Sequence, residues 1–171
     1  LVNWDPKLQT AISDLEVNQK EVDGSLWFFK YYIKETDDFI EVATTRPETM
    51  FGDVAIAVHP KNRALKSYIG KKVTIPLTKR CVQIIADEYA DPSKGSGAVK
   101  ITPAHDFNDF LIAKKHNLNF INIFDKQAKL NSSVPNKFIG MDRYEARKSI
   151  IKVLKENGQL TKIENNKMFV P

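Results

Sequence analysis

The sequence predicts an α+β domain, mainly β: a small curled β-barrel with peripheral helices. Short runs of alternating or aromatic-rich residues, each broken by Gly or Pro, fill the first two-thirds of the chain. A capped amphipathic helix follows near the end. No segment repeats with a period of about 20–50 residues, which argues against solenoids and propellers.

Taken in order, Leu26-Trp-Phe-Phe-Lys-Tyr-Tyr-Ile33 follows the turn residues Asp23-Gly-Ser25 and reads as the first strand. Phe39 to Thr44 alternates, with Ile40, Val42 and Thr44 on one face and Phe39, Glu41 and Ala43 on the other. In Asp53–Val58, Val54, Ile56 and Val58 share a face, and Lys72–Ile75, Cys81–Ile85 and Ala98–Thr102 complete the strand set. Pro60 to Tyr68 reads as a helical stretch ending at Gly70. Asp106 to His116 reads as a helix with Phe110, Ile112 and Ala113 inward. Asp142-Arg-Tyr-Glu145 is a capping box, after which Arg147, Ile150, Ile151 and Leu154 recur at helical spacing and Gly158 supplies the left-handed stop.

At 171 residues and 42% apolar, the chain is long enough to bury a core and too apolar for a disordered segment. No run approaches the roughly 18–20 apolar residues of a membrane span, and Leu1 to Pro6 lacks a signal-peptide pattern. A single cysteine, Cys81, excludes an internal disulfide and fits a reducing compartment, so a cytoplasmic protein is expected, an organelle being the alternative. Twenty-six Lys and Arg against twenty-one Asp and Glu give +5, compatible with RNA, though on charge alone an ordinary lysine-rich surface is the favoured reading. Both ends are apolar, Leu1-Val-Asn-Trp4 and Met168-Phe-Val-Pro171, as expected of a single domain, 1–171, excised from a longer polypeptide.

Two segments carry unusual chemistry. In Val42-Ala-Thr-Thr-Arg-Pro-Glu-Thr-Met-Phe-Gly-Asp53, threonine hydroxyls and the Arg46 donor fork crowd a proline turn. They fit either a phosphate or carboxylate ligand or a turn that satisfies its own backbone. In Gly95-Ser-Gly-Ala-Val-Lys-Ile-Thr-Pro-Ala-His-Asp-Phe-Asn-Asp109, Lys100 and Thr102 share a strand face, and Asp106 and Asp109 share the first turn of a helix. One carboxylate suffices as an N-cap. Two, with Lys100 and His105 near in sequence, also suit an acidic pocket for an ammonium group and a hydroxyl. The P-loop spacing is absent, and His59, His105 and His116 have no metal-ligand spacing, so no metal is expected. Cys81 reads as core rather than nucleophile, and His59 and His116 as surface residues closing elements.

At these residues the chain resembles the editing domain of valyl-tRNA synthetases, a domain inserted into class I synthetases for valine, isoleucine and leucine. Thr44-Thr-Arg-Pro-Glu-Thr49 followed by Met50-Phe-Gly-Asp-Val-Ala-Ile-Ala-Val58 resembles the threonine-rich motif of all three. Gly95 to Asp109, Leu8 to Val17 and Gly140-Met-Asp-Arg-Tyr-Glu-Ala-Arg147 look valyl-like. The resemblance implies that residues 1–17 connect to the catalytic domain, which lies elsewhere in the parent enzyme with its ATP and magnesium. No cofactor is expected in this fragment. It implies hydrolysis of threonine from valine tRNA, with threonyl-adenylate as a further substrate, the rest of the synthetase in cis as partner, no membrane, and a monomer. The need is physical: an apolar synthetic pocket rejects an added hydroxyl by only about a hundredfold, a magnitude established on valyl enzymes themselves.

Carried over, the resemblance makes Asp109 the ligand of the α-ammonium and Asp106 the acceptor for the threonine hydroxyl. Lys100 would stand near the ester, Thr102 would line the pocket, and Thr44, Thr45 and Thr49 would form the opposite wall. Arg46 would hold the terminal adenosine or its phosphate, and His105 would position. Asp109, Asp106, Lys100 and Thr45 thus form the catalytic set; Thr44, Arg46, Thr49, Lys94, Thr102 and His105 form the binding set. Lys94 stands where many valyl enzymes carry an aromatic residue, so phosphate contact replaces stacking there. The rival expectations are a leucyl or isoleucyl relative with another amino-acid target and a non-catalytic RNA-binding barrel.

Overall fold

The computed structural model describes residues 1–14 and 17–170. Among the described residues, nine strands and two α-helices follow in the order β1 (Asn3–Asp5), β2 (Thr10–Ile12), β3 (Lys20–Tyr32), β4 (Phe39–Thr44), β5 (Ala55–Val58), β6 (Lys72–Thr74), β7 (Cys81–Ala86), β8 (Ala98–Ile101), α1 (Phe107–Lys115), α2 (Arg143–Glu156) and β9 (Leu160–Val170). A 3-10 turn over Pro47–Gly52 links β4 to β5.

Three antiparallel strands are ordered β4-β3-β9, and a mixed sheet is ordered β6-β7-β5-β8, with β5 parallel to β7. The sheets meet at two seams. Ile33 bridges Val73, and Lys34 N–H donates to the Lys72 carbonyl at 2.9 Å. At the other seam β4 packs beside β8, and side chains close the gap where a ladder would close a barrel: Lys100 of β8 reaches Thr49 after β4. The expected barrel is therefore a curled, unclosed pair of sheets.

β5 is central and buried on both faces. Ile56 and Val58 join Phe29, Tyr31, Ile40, Val42 and Ile84 in the main core. Ala55 and Ala57, small enough to admit a close layer, pack with Ile101 and Ala90 toward Ile112 of α1. The alternation expected for β4 is present, with Ile40, Val42 and Thr44 inward. On α2 the buried stripe is Ala146, Ile150 and Leu154, while Arg147 and Ile151 are half-buried; Asp142 caps the helix through Tyr144 N–H and Glu145 N–H, and Gly158 takes φ +73°.

Several expectations are corrected. Asp23-Gly-Ser25 is not a turn: β3 runs through it, because β9 pairs with it, Gly24 opposite Asn166. Gly24 leaves the room that the Met168 side chain fills. β9 is too polar to read as a strand, and only its long partner makes it one. Pro60–Tyr68 is not an α-helix but turns ending in a 3-10 turn at Lys66–Tyr68. The Asn62 side chain accepts from Ala64 N–H and Leu65 N–H at 3.1 and 3.2 Å, competing with a helical ladder. In α1 the fully buried residues are Asp109 and Ala113; Phe110 and Ile112 are half-buried. Cys81 is half-buried at the start of β7 rather than core. His116 is no free surface residue, since its Nε2 lies 2.8 Å from buried Asp87 Oδ2. β1 and β2 form a hairpin whose Trp4 indole donates to the Lys126 carbonyl at 2.7 Å.

Candidate active site

The centre of the site is a buried carboxylate absent from the sequence-derived set. Asp53, 0% exposed, closes the 3-10 turn two residues before β5. Its Oδ1 stands 2.7 Å from Lys100 Nζ and accepts from Thr102 Oγ1 at 2.7 Å, while Oδ2 accepts from the Tyr31 phenol at 2.7 Å. Lys100, 7% exposed, also donates to Thr49 Oγ1 at 2.9 Å and to Thr102 Oγ1. Thr49 Oγ1 in turn donates to the Arg46 carbonyl at 3.0 Å. Burial pushes the Asp53 carboxyl upward, while the Lys100 charge and the bonds from Lys100, Tyr31 and Thr102 oppose that push. Three converging donors suit the anion, so we assign an ionised Asp53 paired with ammonium. Burial, then Asp53, holds the Tyr31 phenol well above its ordinary range and therefore a donor.

Thr102 joins this network to the second carboxylate. Its backbone N–H donates to Asp109 Oδ2 at 2.8 Å. Asp109 is 6% exposed, and burial pushes its carboxyl up to about 6. Asp106 lies at the exposed N-cap of the same helix, where its Oδ1 accepts from Asn108 N–H and Asp109 N–H at 2.8 and 3.0 Å.

Arg46 flanks the cluster. Its guanidinium donates to the His105 carbonyl at 2.7 Å and stands 3.6 Å from Glu48. Glu48, 0% exposed, is clamped by both arms of Arg147 from α2 at 2.9 and 2.8 Å. His105 Nε2 accepts from Ile123 N–H at 3.1 Å, and burial, helped by Arg46 and Lys100, lowers the ring to about 4. It is therefore neutral near pH 7 with Nε2 engaged. Gly52 permits this packing: a Cβ there would stand 3.1 Å from Thr102 Cγ2 and 3.4 Å from His105 Cδ2.

Lys100, Thr49, Thr102 and Asp109 are thus brought into one bonded cluster, and Arg46 with His105 borders it. Thr44 is buried at the end of β4, its Oγ1 accepting from Arg46 N–H at 3.0 Å, and Thr45 follows half-buried. Lys94 sits on an exposed turn and makes no contact with the cluster among the described bonds; the next residue, Gly95, abuts Ala43 of β4. Sequence reasoning passed over Asp53, Tyr31 and Glu48. Asp53 and Glu48 read as turn residues, and Tyr31 as one aromatic among several in a strand. Among the described residues no group of three or more His, Cys, Asp or Glu is arranged to hold a metal.

The curled sheets, the threonine turn and the acidic start of α1 define a class of protein, the editing domains of class I aminoacyl-tRNA synthetases. The family model "Leucyl-tRNA synthetase, editing domain" matches residues 63–155, and the chain belongs to that family. Its full-length resemblance is to valine–tRNA ligases: 55% identity with that of Pelagibacter ubique and 53% with that of Caulobacter vibrioides, each over 100% of this chain, and 52% with that of Thermotoga maritima over 96%. The chain spans about a fifth of the length of these curated relatives (20%, 21% and 19%). The fold is also that of part of the Agrobacterium radiobacter K84 AgnB2 leucyl-tRNA synthetase, described in a ternary complex with tRNA and LeuAMS. The TM-score is 0.64 at 19% identity, covering 87% of this chain and 20% of that one.

Proposed function

We propose that this domain removes threonine wrongly esterified to valine tRNA. The observation that carries the reading is Asp109, a buried carboxylate fixed by Thr102 N–H beside the Lys100–Thr49–Thr102 wall. A carboxylate held there binds the α-ammonium of an aminoacyl ester by a charge-assisted bond. Asp106, with Oδ1 committed to the cap, offers Oδ2 to the threonine hydroxyl. Valine brings a methyl in place of that hydroxyl and leaves a polar partner unmade, a loss of about 1–3 kcal/mol.

Water attacks the ester carbonyl carbon, and the bond to the ribose oxygen breaks. One water proton ends on the released ribose hydroxyl and the other goes to solvent as threonine leaves as its carboxylate. Orientation and fixed charge do the work. Arg46 and Lys94 take the terminal nucleotide and its phosphate, Thr44 and Thr45 the far wall, and His105 keeps the loop in register. The 3′ end of the tRNA arrives with the rest of the synthetase in cis, and threonyl-adenylate fits the same acceptor set.

Deacylation of threonyl- and valyl-tRNA by the purified chain tests this. Threonyl ester should disappear at least about tenfold faster, given an unmade hydrogen bond of this size. Equal rates, or no hydrolysis of either, would refute the proposal.

A further inference from the structure

We infer that Asp53 is a positioning residue that sets the direction of the hydroxyl protons on the wall facing the aminoacyl group. This extends the editing reading to a carboxylate that touches no substrate and is 0% exposed.

The argument is a count of donors. An ammonium has three N–H groups. Those of Lys100 are taken by Asp53, Thr49 and Thr102. Each threonine hydroxyl has one proton: Thr102 gives its own to Asp53, and Thr49 gives its own to the Arg46 carbonyl. Neither hydroxyl nor the ammonium keeps a proton for a ligand. Each hydroxyl oxygen accepts from Lys100 and retains one lone pair, so the wall presents acceptors only. It rewards a ligand carrying O–H or N–H donors and gives nothing to a methyl group.

Asp53 imposes that polarity. Without its charge the Thr102 proton swings free and Lys100 recovers a donor, and the wall no longer distinguishes the two. The residue is built in tightly: Tyr31 holds Oδ2, and the Arg80 guanidinium grips the Asp53 and Phe51 carbonyls. Because Thr102 also holds Asp109 through its N–H, one carboxylate braces both sides of the proposed pocket.

The test uses the whole chain with Asp53→Asn and with Asp53→Asn combined with Lys100→Met, which removes both buried charges together. Thermal melting, the 15N-detected signal of the Lys100 ammonium and single-turnover rates on threonyl- and valyl-tRNA are read for each. In Asp53→Asn the Lys100 signal should vanish into fast exchange, and the threonyl-to-valyl rate ratio should fall about tenfold or more with KM for tRNA unchanged, the effect of one hydrogen bond turned the wrong way. The double variant should regain melting temperature without regaining the ratio. A folded Asp53→Asn variant that keeps the wild-type ratio overturns the inference, as does a double variant that recovers both, which would make the role structural. Should Asp53→Asn fail to fold, a folded double variant that keeps the wild-type ratio overturns the inference, since it lacks the carboxylate. A wild-type chain that hydrolyses neither ester sinks the editing reading instead. The grip of Asp53 on Lys100 is then judged by the ammonium signal alone, and an unchanged signal overturns it.

Discussion

Thr102 donates its backbone N–H to Asp109 Oδ2 at 2.8 Å, so the carboxylate at the start of α1 is held by the residue that follows β8. That bond fixes the group but does not offset its burial, and the carboxyl is left at about 6 against an ordinary 3.8. The native state therefore holds this proton over a range where the unfolded chain has lost it. Stability from this group falls as pH rises from about 4 to 6.

Asp109→Asn follows directly. The amide oxygen keeps the Thr102 bond, and the uncharged group escapes the burial cost, so the variant should be more stable at pH 7 by up to about 3 kcal/mol. Deacylation should be abolished. In the wild type, kcat/KM should drop as pH falls through about 6, where the ammonium ligand is protonated. Denaturant melts and a pH–rate profile check both halves. An Asn variant no more stable than wild type would contradict the assigned burial cost.

His105 supplies the opposite slope. Its ring is lowered to about 4 from 6.5, so the unfolded chain binds the extra proton and stability is lost as pH falls through that window. The contributions of Asp109 and His105 oppose each other between about pH 4 and 6. Asp109→Asn should uncover the histidine: its stability should rise by about 2–3 kcal/mol between pH 4.5 and 6.5, while the wild type changes much less. Chemical denaturation at several pH values reads this, and parallel curves would refute it.

The cap that Asp106 makes and the substrate contact proposed for it are separable. Its cap accepts two backbone N–H groups, and Asp106→Ala should cost about 1 kcal/mol of stability. Asp106→Ser keeps a capping oxygen but shortens the reach to a substrate. The serine variant should therefore melt near wild type and still lose preference for threonyl over valyl ester. If it retains that preference, the cap is the whole role of Asp106.

The parts of this molecule that were legible are those in which local pattern and tertiary demand agree. Ile40, Val42 and Thr44 alternate and are buried, and Asp142 caps α2 as its sequence states. What was not legible depends on distant partners. β9 is polar throughout its middle and exists because β3 offers it a ladder. The curl of the sheets was legible, but nothing local says that β4 and β8 meet through side chains rather than backbone. The site divides in the same way. Asp109, Lys100 and Thr102 lie within ten residues and were found together, whereas Asp53 is 47 positions from Lys100 and Glu48 is 99 from Arg147. A buried charge pair is visible only once the fold has brought its two halves together.

Glu48 and Arg147 provide the last prediction. Glu48 is fully buried, and the two Arg147 bonds neutralise it, with Arg46 a weaker third member at 3.6 Å. Arg147→Met keeps the packing stem but strands the glutamate, which should cost about 3 kcal/mol. Glu48→Gln removes the charge instead and frees Arg46, whose only other described anchor is the His105 carbonyl. The two variants should thus separate. Arg147→Met lowers stability with Arg46 drawn harder onto Glu48, whereas Glu48→Gln loosens Arg46 and raises KM for the tRNA ester several-fold with kcat little changed. Urea melts paired with steady-state kinetics distinguish them, and a Glu48→Gln variant with wild-type KM would show that Glu48 anchors α2 alone and has no part in placing Arg46.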